Sequence, residues 1–323
     1  YRKVIDAINR NETSVNFGIL IKEDTIDNII LALNYDHPEL FYVNFKQIKY
    51  VRMPMGFVYY INYNIKPMLR DIFVKNINDK IDEILEIISS LNLKTDYEKC
   101  RWMHNYFIKN IRYDFEALNN PENNPDSFRI DGVFEKKSAV CEGISKAYKL
   151  LCDRLEIESL IAFGTASLQQ FRKEMSHAWN IVKINSQFMH IDITWDIGVS
   201  QSCKYIRYDY FCIPDRYIKS DHTYSNFPLC ETDEWSFFRK RKRILSGVRQ
   251  LKNYLEIELN KNSEILYFKI IGDKEFPSDI QNKINNLVNK MVSEKLYCTY
   301  IIEMIPNHKQ LCFFYRIKRG NGE

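Results

Sequence analysis

Glycine and proline are scarce in this sequence. Its 323 residues include 10 Gly and 9 Pro, whereas an average protein draws about 12% of its residues from these two types. The shortage excludes collagen-like, low-complexity and disordered chains. It also argues against an all-β sandwich or barrel, because the many tight turns of those folds require Gly and Pro. Helices are therefore expected to form a large part of the fold.

Long apolar runs and a large net charge are missing as well. No run approaches the ~20 apolar residues of a membrane span, so we expect none. The 46 Lys and Arg against 42 Asp and Glu leave a net charge of +4, which by itself indicates neither a nucleic-acid nor a membrane-surface partner. Because the sequence begins at Tyr1 rather than Met, the lack of a leader is no evidence for the cytoplasm, and the compartment stays open.

Cysteine is present, but not in the patterns of a disulfide or metal protein. The eight cysteines are too sparse for a disulfide scaffold, and no two of them form a CxxC pair. Zinc-ribbon and thioredoxin-like motifs are thereby excluded. We expect no metal and no other cofactor, so each cysteine has to be judged by its surroundings.

The length predicts about two domains at roughly 150 residues each. The composition changes after Cys230, where a basic run occupies residues 239–243, and we place a boundary near residue 232. Residues 1–232 then form the larger domain, with an N-terminal helical and hairpin extension, and residues 233–323 form a small accessory α/β domain.

Apolar periodicity predicts the elements of both parts. In the larger part we expect a helix at 25–34, a hairpin of strands 47–53 and 57–63, helices at 67–91, 96–110 (with Asp96 as N-cap) and 142–155, and a strand hairpin over 177–195. Residues 113–138, rich in Asn and Pro, form the least regular stretch, of the kind that often serves as a lid or binding loop. In the smaller part we expect a helix ending near 262, then a βαββ module of strand 264–271, a helix capped by Ser278, and strands 298–305 and 310–317.

Cys141 lies where an extended segment becomes a helix. The apolar stripe of that helix begins at Ile144, three residues after Cys141, so the two side chains share a face. The thiol should point inward at the helix N-terminus, where free N–H groups and the positive end of the helix dipole favour the thiolate. Cys152 lies about three turns further along, too far to share a disulfide or a metal with Cys141, and we interpret it as a core residue.

A base and an orienting acid are expected on the 177–195 hairpin. If residues 185–186 form a two-residue turn, the register sets His177 opposite Thr194 and places Asp192 diagonally next to His177. Such a diagonal separation is roughly 7 Å between backbones, within reach of an imidazole–carboxylate hydrogen bond. A nucleophile, a base and an acid in this order are the parts of an acyl-transfer site.

Plainer interpretations exist for each residue. A lone cysteine at a helix start is more often structural, and a lone histidine is usually a satisfied surface or core residue. His190 is a rival base, but the register pairs it with Ile181, further from Asp192, and we interpret it as structural. A metal held by the same three side chains would lack an evident fourth ligand. Taken together, the helix and hairpin contexts favour catalysis.

These segments resemble the transglutaminase-like superfamily, in particular its bacterial members with a papain-like cysteine peptidase core. VCEG at 140–143 resembles the nucleophile helix of that superfamily, and SHAWN at 176–180 resembles its histidine strand. HIDITWD at 190–196 resembles its acid-bearing strand. The flanking segments NIRYD at 110–114 and DH at 221–222 are similar too, so the resemblance covers roughly 1–232. It implies an α+β fold, in which the helix carrying the nucleophile packs on an antiparallel sheet, followed here by the small C-terminal βαββ module.

The resemblance implies a Cys-His-Asp acyl-transfer site acting on a protein or peptide. Cys141 would attack a carboxamide carbon to form a thioester, His177 would shuttle the proton, and Asp192 would orient the imidazole. Hydrolysis by a peptidase or deamidase is favoured over crosslinking, because nothing identifies an amine-acceptor pocket. Tyr113 is a candidate second oxyanion donor beside the Cys141 N–H, and Trp179 a candidate wall of the acyl channel.

Two other functions stay open on the sequence. The chain could be an idle scaffold whose C-terminal module binds a protein partner, since that module lacks a convincing catalytic group. The basic run at 239–243 could form a nucleic-acid or anionic-surface patch. It lacks interleaved stacking aromatics, however, and we expect no nucleic-acid partner.

Overall fold

A computed structural model describes residues 1–18, 23–47, 49–167, 174–272, 280–296 and 299–319. The strands in these ranges form sheets of three, five, four and two strands, and helices cover them. The predicted α+β class is therefore confirmed. Among the helices of the described ranges, none combines the length and the apolar character that a membrane crossing requires.

The N-terminal region is a small sheet flanked by helices. The predicted hairpin is present, and an additional strand, β1, pairs with β3 on its other side, giving the order β1-β3-β2. The helix α1 and the strand β1 were not predicted. The elements are α1 (Arg2–Asn9), β1 (Ser14–Gly18), α2 (Glu23–Asp36), β2 (Lys49–Met53), β3 (Gly56–Tyr60) and α3 (Pro67–Ser90).

The next helix, α4 (Asp96–Asn110), corrects one prediction about its start. Its N-cap is Thr95, not Asp96. The Thr95 hydroxyl accepts the backbone N–H of Glu98 at 3.2 Å, and the Glu98 carboxylate accepts the N–H of Thr95 at 3.1 Å. This reciprocal capping box satisfies two N–H groups that one Asp96 side chain could not serve together.

The stretch predicted to be irregular is largely short helices, which is a second correction. It contains β4 (Arg112–Tyr113), α5 (Phe115–Asn119), a 3-10 turn at Pro125–Phe128, α6 (Ile130–Phe134) and β5 (Ser138–Ala139). The 3-10 turn and α6 both pack against the helix that follows. The packing is close: a Cβ added at Gly143 would lie 2.5 Å from the carbonyl oxygen of Ser127. Glycine at that position is what lets the two segments meet.

The central layer is the helix α7 (Cys141–Arg154) packed on a five-stranded sheet. The sheet order is β10-β6-β7-β8-β9, and every neighbouring pair is antiparallel. The turn at Asn185 and Ser186 has φ of 48° and 65°, as a tight hairpin requires, and the predicted register at that turn is confirmed. The strands are β6 (Ser159–Ser167), β7 (Glu174–Ile184), β8 (Gln187–Ile191), β9 (Phe211–Ile213) and β10 (His222–Thr223).

The hairpin ends earlier than predicted, which is a third correction. After β8 the chain leaves the sheet at Asp192 and enters the helix α8 (Ile193–Cys203). Thr194 therefore lies in a helix, and the strand partner of His177 is Gly164 on β6. The short helix α9 (Asp215–Ile218) follows β9.

The C-terminal region contains the predicted β-α-β-β succession. Its four-stranded sheet has the order β11-β12-β14-β13, with the short parallel strand β11 as an unpredicted addition. Ser278, the predicted helix cap, lies outside the described residues. The elements are α10 (Phe237–Lys240), β11 (Ile244–Leu245), α11 (Val248–Asn260), β12 (Ile265–Ile270), α12 (Ile280–Lys295), β13 (Tyr300–Met304) and β14 (Cys312–Arg319). The boundary near 232 stays a prediction.

Two hydrophobic clusters divide the C-terminal region. Leu255, Phe268 and Val288 pack in a cluster of that region alone, whereas Tyr267 and Phe314 pack into the core shared with the rest of the protein. The C-terminal sheet therefore buries one face against the larger part of the chain.

The basic run at 239–243 has partners within the chain. Arg239 forms an ion pair with Asp233 at 2.7 Å, and the Lys240 ammonium lies 3.7 Å from the ring centroid of Trp235. These contacts use two of the positive charges on which a nucleic-acid patch would depend.

A fully buried ion pair joins the two parts of the chain. The Arg207 guanidinium binds the Asp209 carboxylate through two hydrogen bonds of 3.0 and 2.6 Å, and it donates a third to the carbonyl oxygen of Ile305 at 2.8 Å. The Tyr267 hydroxyl donates to Asp209 at 2.6 Å. A buried bidentate pair with its remaining donors satisfied holds its geometry well.

Asp209→Ala should be strongly destabilising. It leaves the Arg207 guanidinium buried without its counter-ion, and we expect the free energy of unfolding to fall by about 3–5 kcal/mol. Asp79→Ala is the matched control, because Asp79 pairs with Lys75 at 2.9 Å on an exposed helix face, and its loss should cost less than about 1 kcal/mol. Urea unfolding followed by circular dichroism measures both; equal losses would contradict the expectation.

Candidate active site

Cys141 occupies the first position of α7, after the N-cap Val140. Its side chain is buried, with 8% of the residue exposed. The His177 side chain and the backbone N–H of Ala178 both lie near the sulfur and lower its pKa. Burial raises the pKa of the Cys141 thiol, but the hydrogen bond and the charge of His177 outweigh it, so the pKa lies below its usual value. The thiolate is thus favoured where the sequence predicted it.

His177, on β7, contacts Cys141 and Asp192 at once. Its Nε2 lies 2.7 Å from Oδ2 of Asp192, which leaves Nδ1 for the sulfur. Burial lowers the pKa of His177, while the charge and hydrogen bond of Asp192 raise it, and the sum is a pKa of about 10. The pKa of Asp192, which burial raises, is held well below its usual range chiefly by the charge of His177. The imidazolium–carboxylate form of this pair is therefore the stable one.

Both carboxylate oxygens of Asp192 accept hydrogen bonds. It is the N-cap of α8, and its Oδ1 accepts the backbone N–H of Trp195 at 3.1 Å. Its Oδ2 accepts the His177 ring and a second ring, that of His222, at 3.0 Å. The prediction that Asp192 lies beside His177 was based on the pairing of two strands. In the structure, the role of Asp192 as the N-cap of α8 fixes its carboxylate instead.

Tyr113, the candidate oxyanion donor, lies against Cys141. Its hydroxyl lies close enough to the side chain and the backbone of that residue for both to affect the pKa of Tyr113. Burial, more than the nearby thiolate, raises the pKa of Tyr113 far above its usual value. The phenol therefore keeps its proton and remains a hydrogen-bond donor beside the nucleophile.

Trp179 lies below His177, in the core. The two rings stack with centroids 5.8 Å apart, but Trp179 is fully buried and its indole N–H donates to Nδ1 of His190 at 2.9 Å. This places the tryptophan under the imidazole and not along an open channel.

The rival base, His190, belongs to a separate cluster. Its Nε2 lies 2.9 Å from Oδ1 of Asp215 and 3.0 Å from the hydroxyl of Tyr224, and burial lowers its pKa. Because Nδ1 accepts the Trp179 N–H, the single proton of the neutral ring sits on Nε2. His190 thus donates to Asp215 and has no contact with Asp192 among the hydrogen bonds of the described residues.

Two groups of side chains have the spacing of metal ligands within the described ranges. They are His177, Asp192 and His222, and His190, Asp215 and Cys230. In both groups the ring nitrogens that would bind an ion lie within hydrogen-bond distance of a carboxylate oxygen, at 2.7, 2.9 and 3.0 Å. A metal ligand needs a free lone pair on that nitrogen, so hydrogen bonding is the better account of both groups.

A polar contact at the start of α7 was not predicted from the sequence. The carboxylate of Glu142, the residue after the nucleophile, binds Lys146 at 2.8 Å and Lys46 at 3.3 Å, and Lys146 also donates to Asn34 at 2.7 Å. This attaches the N-terminal extension to the helix that carries Cys141. An open cleft of about 880 Å³ runs along the same contact. Neither lysine has a motif that would have indicated its partner.

The family comparison identifies this region of the chain. Residues 86–193 match the model of the Transglutaminase-like superfamily, a range that contains Cys141, His177 and Asp192. Residues 86–193 are therefore transglutaminase-like. Its helix α7 on an antiparallel sheet is the papain-like core expected of that superfamily.

The transglutaminase-like domain also has relatives among mammalian peptidases. The chain is 24% identical over 137 residues to Kyphoscoliosis peptidase of Homo sapiens, covering 40% of this chain and 20% of the relative. It is 25% identical over 122 residues to Kyphoscoliosis peptidase of Mus musculus, covering 35% and 18%. The chain thus spans about a fifth of the length of these relatives.

Two solved structures are similar to this chain. A crystal structure of a TGase has a TM-score of 0.34 and 15% identity, covering 56% of this chain and 50% of that chain. A proposed cysteine protease from Cytophaga hutchinsonii has a TM-score of 0.28 and 12% identity, covering 46% and 61%. The family match and the topology, not these distant likenesses, carry the fold assignment.

Iodoacetamide should alkylate Cys141 first. The lowered pKa of Cys141 increases its fraction of reactive thiolate, whereas burial raises the pKa of Cys152 far above its usual value. His177→Asn removes the cation that stabilises the thiolate and should slow Cys141 alkylation about tenfold or more. Peptide-resolved mass spectrometry measures each rate. If Cys141 reacted no faster than Cys152, or were indifferent to His177→Asn, its thiolate would not be activated.

Proposed function

We propose that this chain is a cysteine-dependent acyl-transfer enzyme that acts on protein or peptide amides, with Cys141 as nucleophile, His177 as acid and base, and Asp192 as the group that orients His177. The observation that carries the proposal is the position of His177, whose two ring nitrogens serve the Cys141 sulfur and the Asp192 carboxylate. The family match of the same residues supports it.

The first half of the reaction forms a thioester. The Cys141 thiolate attacks the carbonyl carbon, a C–S bond forms, and the carbonyl oxygen becomes an oxyanion. When the tetrahedral intermediate collapses, the C–N bond breaks and the imidazolium of His177 donates its proton to the leaving amine. The leaving group is a peptide amine in a peptidase and ammonia in a glutamine deamidase.

The second half returns the enzyme to its starting state. The imidazole of His177, now neutral, accepts a proton from water as the water attacks the thioester, and the acid and the Cys141 thiolate are released. We propose water as the acceptor, in a hydrolase. A lysine amine in place of water would give a crosslink through the same steps, so the acceptor separates a hydrolase from a transglutaminase.

Two donors beside Cys141 are suited to the oxyanion. The backbone N–H of Cys141 lies at the N-terminus of α7, where helix N–H groups lack intrahelical partners, and the Tyr113 hydroxyl lies next to it. We assign Tyr113 as the second donor, since its high pKa keeps it protonated in a site that develops negative charge.

Residues 233–323 are proposed to be an accessory domain of this enzyme, with no catalytic group of their own. The contacts of Arg207 with Ile305 and of Asp209 with Tyr267 support a role as a fixed buttress of the catalytic part. The alternative of an idle scaffold that binds a protein partner through these residues would gain if Cys141 proved unreactive.

Cys141→Ala should abolish turnover. Casein incubated with the wild-type protein and a fluorescent primary amine distinguishes the outcomes: shorter fragments indicate a peptidase, ammonia alone a deamidase, and covalent fluorescence in the casein a transglutaminase. We expect either shorter fragments or ammonia alone. Cys152→Ala is the matched control, a buried core cysteine that should leave turnover unchanged. Undiminished activity in Cys141→Ala would refute the proposal.

The pH dependence of activity should reflect the ionisation of Cys141 and His177. Activity needs the thiolate and the imidazolium together, so the acid limb follows the lowered pKa of Cys141, and the alkaline limb falls near the His177 pKa of about 10. Asp192→Asn removes the charge that raises the His177 pKa. The alkaline limb should therefore move down, toward or below the ordinary histidine value of about 6.5. An alkaline limb that Asp192→Asn leaves in place would contradict the assigned role of Asp192.

A further inference from the structure

His222 is a buried histidine held between two carboxylates. It lies on β10, outside the range 86–193 that matches the family. Its Nε2 is 3.0 Å from Oδ2 of Asp192, and its Nδ1 is 2.6 Å from Oδ1 of Asp221. All three side chains are buried. Asp192 is thus approached by two imidazole rings from two different strands.

The partners of Asp221 show that it acts as an acceptor. Its Oδ2 accepts the hydroxyl of Tyr210 at 2.8 Å and the amide of Gln310 at 3.1 Å. Asp192 likewise accepts from His177 and from the N–H of Trp195. Both carboxylates therefore accept hydrogen bonds from groups other than His222.

Two acceptors on two ring nitrogens require two N–H donors. A neutral imidazole has one N–H, and only the imidazolium has two. A proton placed between a carboxylate and an imidazole at hydrogen-bond distance resides on the imidazole, the more basic partner. The contacts of His222 with Asp192 and Asp221 are both satisfied only if the ring is doubly protonated.

We propose that His222 is a doubly protonated positioning residue that holds Asp192 ionised and in place beneath His177. The inference rests on the proposed function of Cys141, His177 and Asp192. His222 does not touch the reacting atoms; it acts through the carboxylate that orients the base.

Three further titratable groups face His222. The ring centroid of His177, the other cation, lies 5.3 Å away, and that of Tyr210 lies 5.9 Å away. Burial raises the pKa of Tyr210 far above its usual value, so the phenol is neutral. His190 is neutral as well, because burial lowers its pKa, and the charge of His222 adds to that effect. Two imidazolium rings and two carboxylates therefore alternate, which is the arrangement that buried charges need.

The network reaches the C-terminal part of the chain. Gln310, which binds Asp221, lies between β13 and β14, and Asn307 from the same segment donates to the Tyr210 hydroxyl at 3.1 Å. Gln310 also donates to the carbonyl oxygen of Tyr217 at 3.0 Å. The segment therefore holds Asp221 in place, and Asp221 in turn holds His222.

The protonation state has a direct test by nitrogen-15 NMR. The chain has six histidines, and with labelled histidine each ring reports whether one or both nitrogens carry a proton. At pH 8 we expect His222 to show the imidazolium pattern, while His104 and His190, buried beside one carboxylate each, show neutral rings. His222→Gln assigns the signal by removing it. A singly protonated His222 would overturn the proposal.

A charge-removing variant tests why the ring is protonated. Asp221→Asn takes away one of the two carboxylates, so His222 should lose its second proton and appear neutral at pH 8. Asp215→Asn is the matched control: it changes a partly buried partner of His190 that does not touch His222, and the His222 signal should not change. Loss of the imidazolium pattern in both variants, or in neither, would contradict the inference.

The positioning role is tested by the acid limb of Cys141 alkylation. His222→Leu removes the cation and the second hydrogen bond on Asp192, both of which support the thiolate–imidazolium pair. The acid limb of the alkylation rate should therefore shift to higher pH by about one unit. His222→Gln keeps an N–H donor without the charge and should move it less. His104→Leu, which breaks a buried His–Asp pair elsewhere, should not move it. Circular dichroism checks that each variant is folded.

The two proposals fail in different ways. If wild-type Cys141 were not activated, the proposed function would fall, while the NMR measurement would still decide the charge of His222. If Cys141 were activated and His222→Leu left the acid limb in place, the positioning role alone would be wrong.

Discussion

A carboxylate buried away from water is stable only if its charge is compensated and its oxygens accept hydrogen bonds. Asp192 is fully buried, and the centre of the protein is arranged around that requirement. The N-terminus of α8 supplies one donor through the backbone of Trp195, β7 supplies His177, and β10 supplies His222. Three separate elements thus converge on one side chain, so displacing any of them exposes an unpaired charge in the core. The position of the proposed base follows from this constraint.

The nucleophile Cys141 depends on the buried charge of Asp192 indirectly, through His177. Burial alone would raise the pKa of Cys141, and it is the imidazolium of His177 that reverses the effect. His177 in turn stays protonated in the core only because Asp192 is ionised beside it. The helix N-terminus orients the sulfur, but the balance of charges makes it reactive. A buried thiol without such a cation, as at Cys152, has its pKa moved the other way.

The sequence correctly predicted the features that depend on interactions between residues close together in the chain. The helix after Cys141 and the register of the 177–195 hairpin follow from apolar periodicity and a two-residue turn, and both are present. The proximity of Asp192 to His177 was predicted from a longer strand than the one that forms. Residues 190–196 did not reveal the helix cap at Asp192, which takes the chain out of the sheet. The segment DH at 221–222 resembled the superfamily, but nothing local indicated the contact of His222 with Asp192 or of Gln310 with Asp221, because these partners lie 30 and 89 residues apart.

Two histidines on adjacent strands show how the surroundings divide similar residues into different states. His177 and His190 are both buried, and each lies within 3 Å of a carboxylate oxygen. The difference comes from Trp179, which lies between them: its N–H donates to Nδ1 of His190, so that ring is held as one neutral tautomer. Nδ1 of His177 instead meets a sulfur that gains from a proton donor. A single indole therefore separates a ring that can shuttle a proton from one that is fixed in the core.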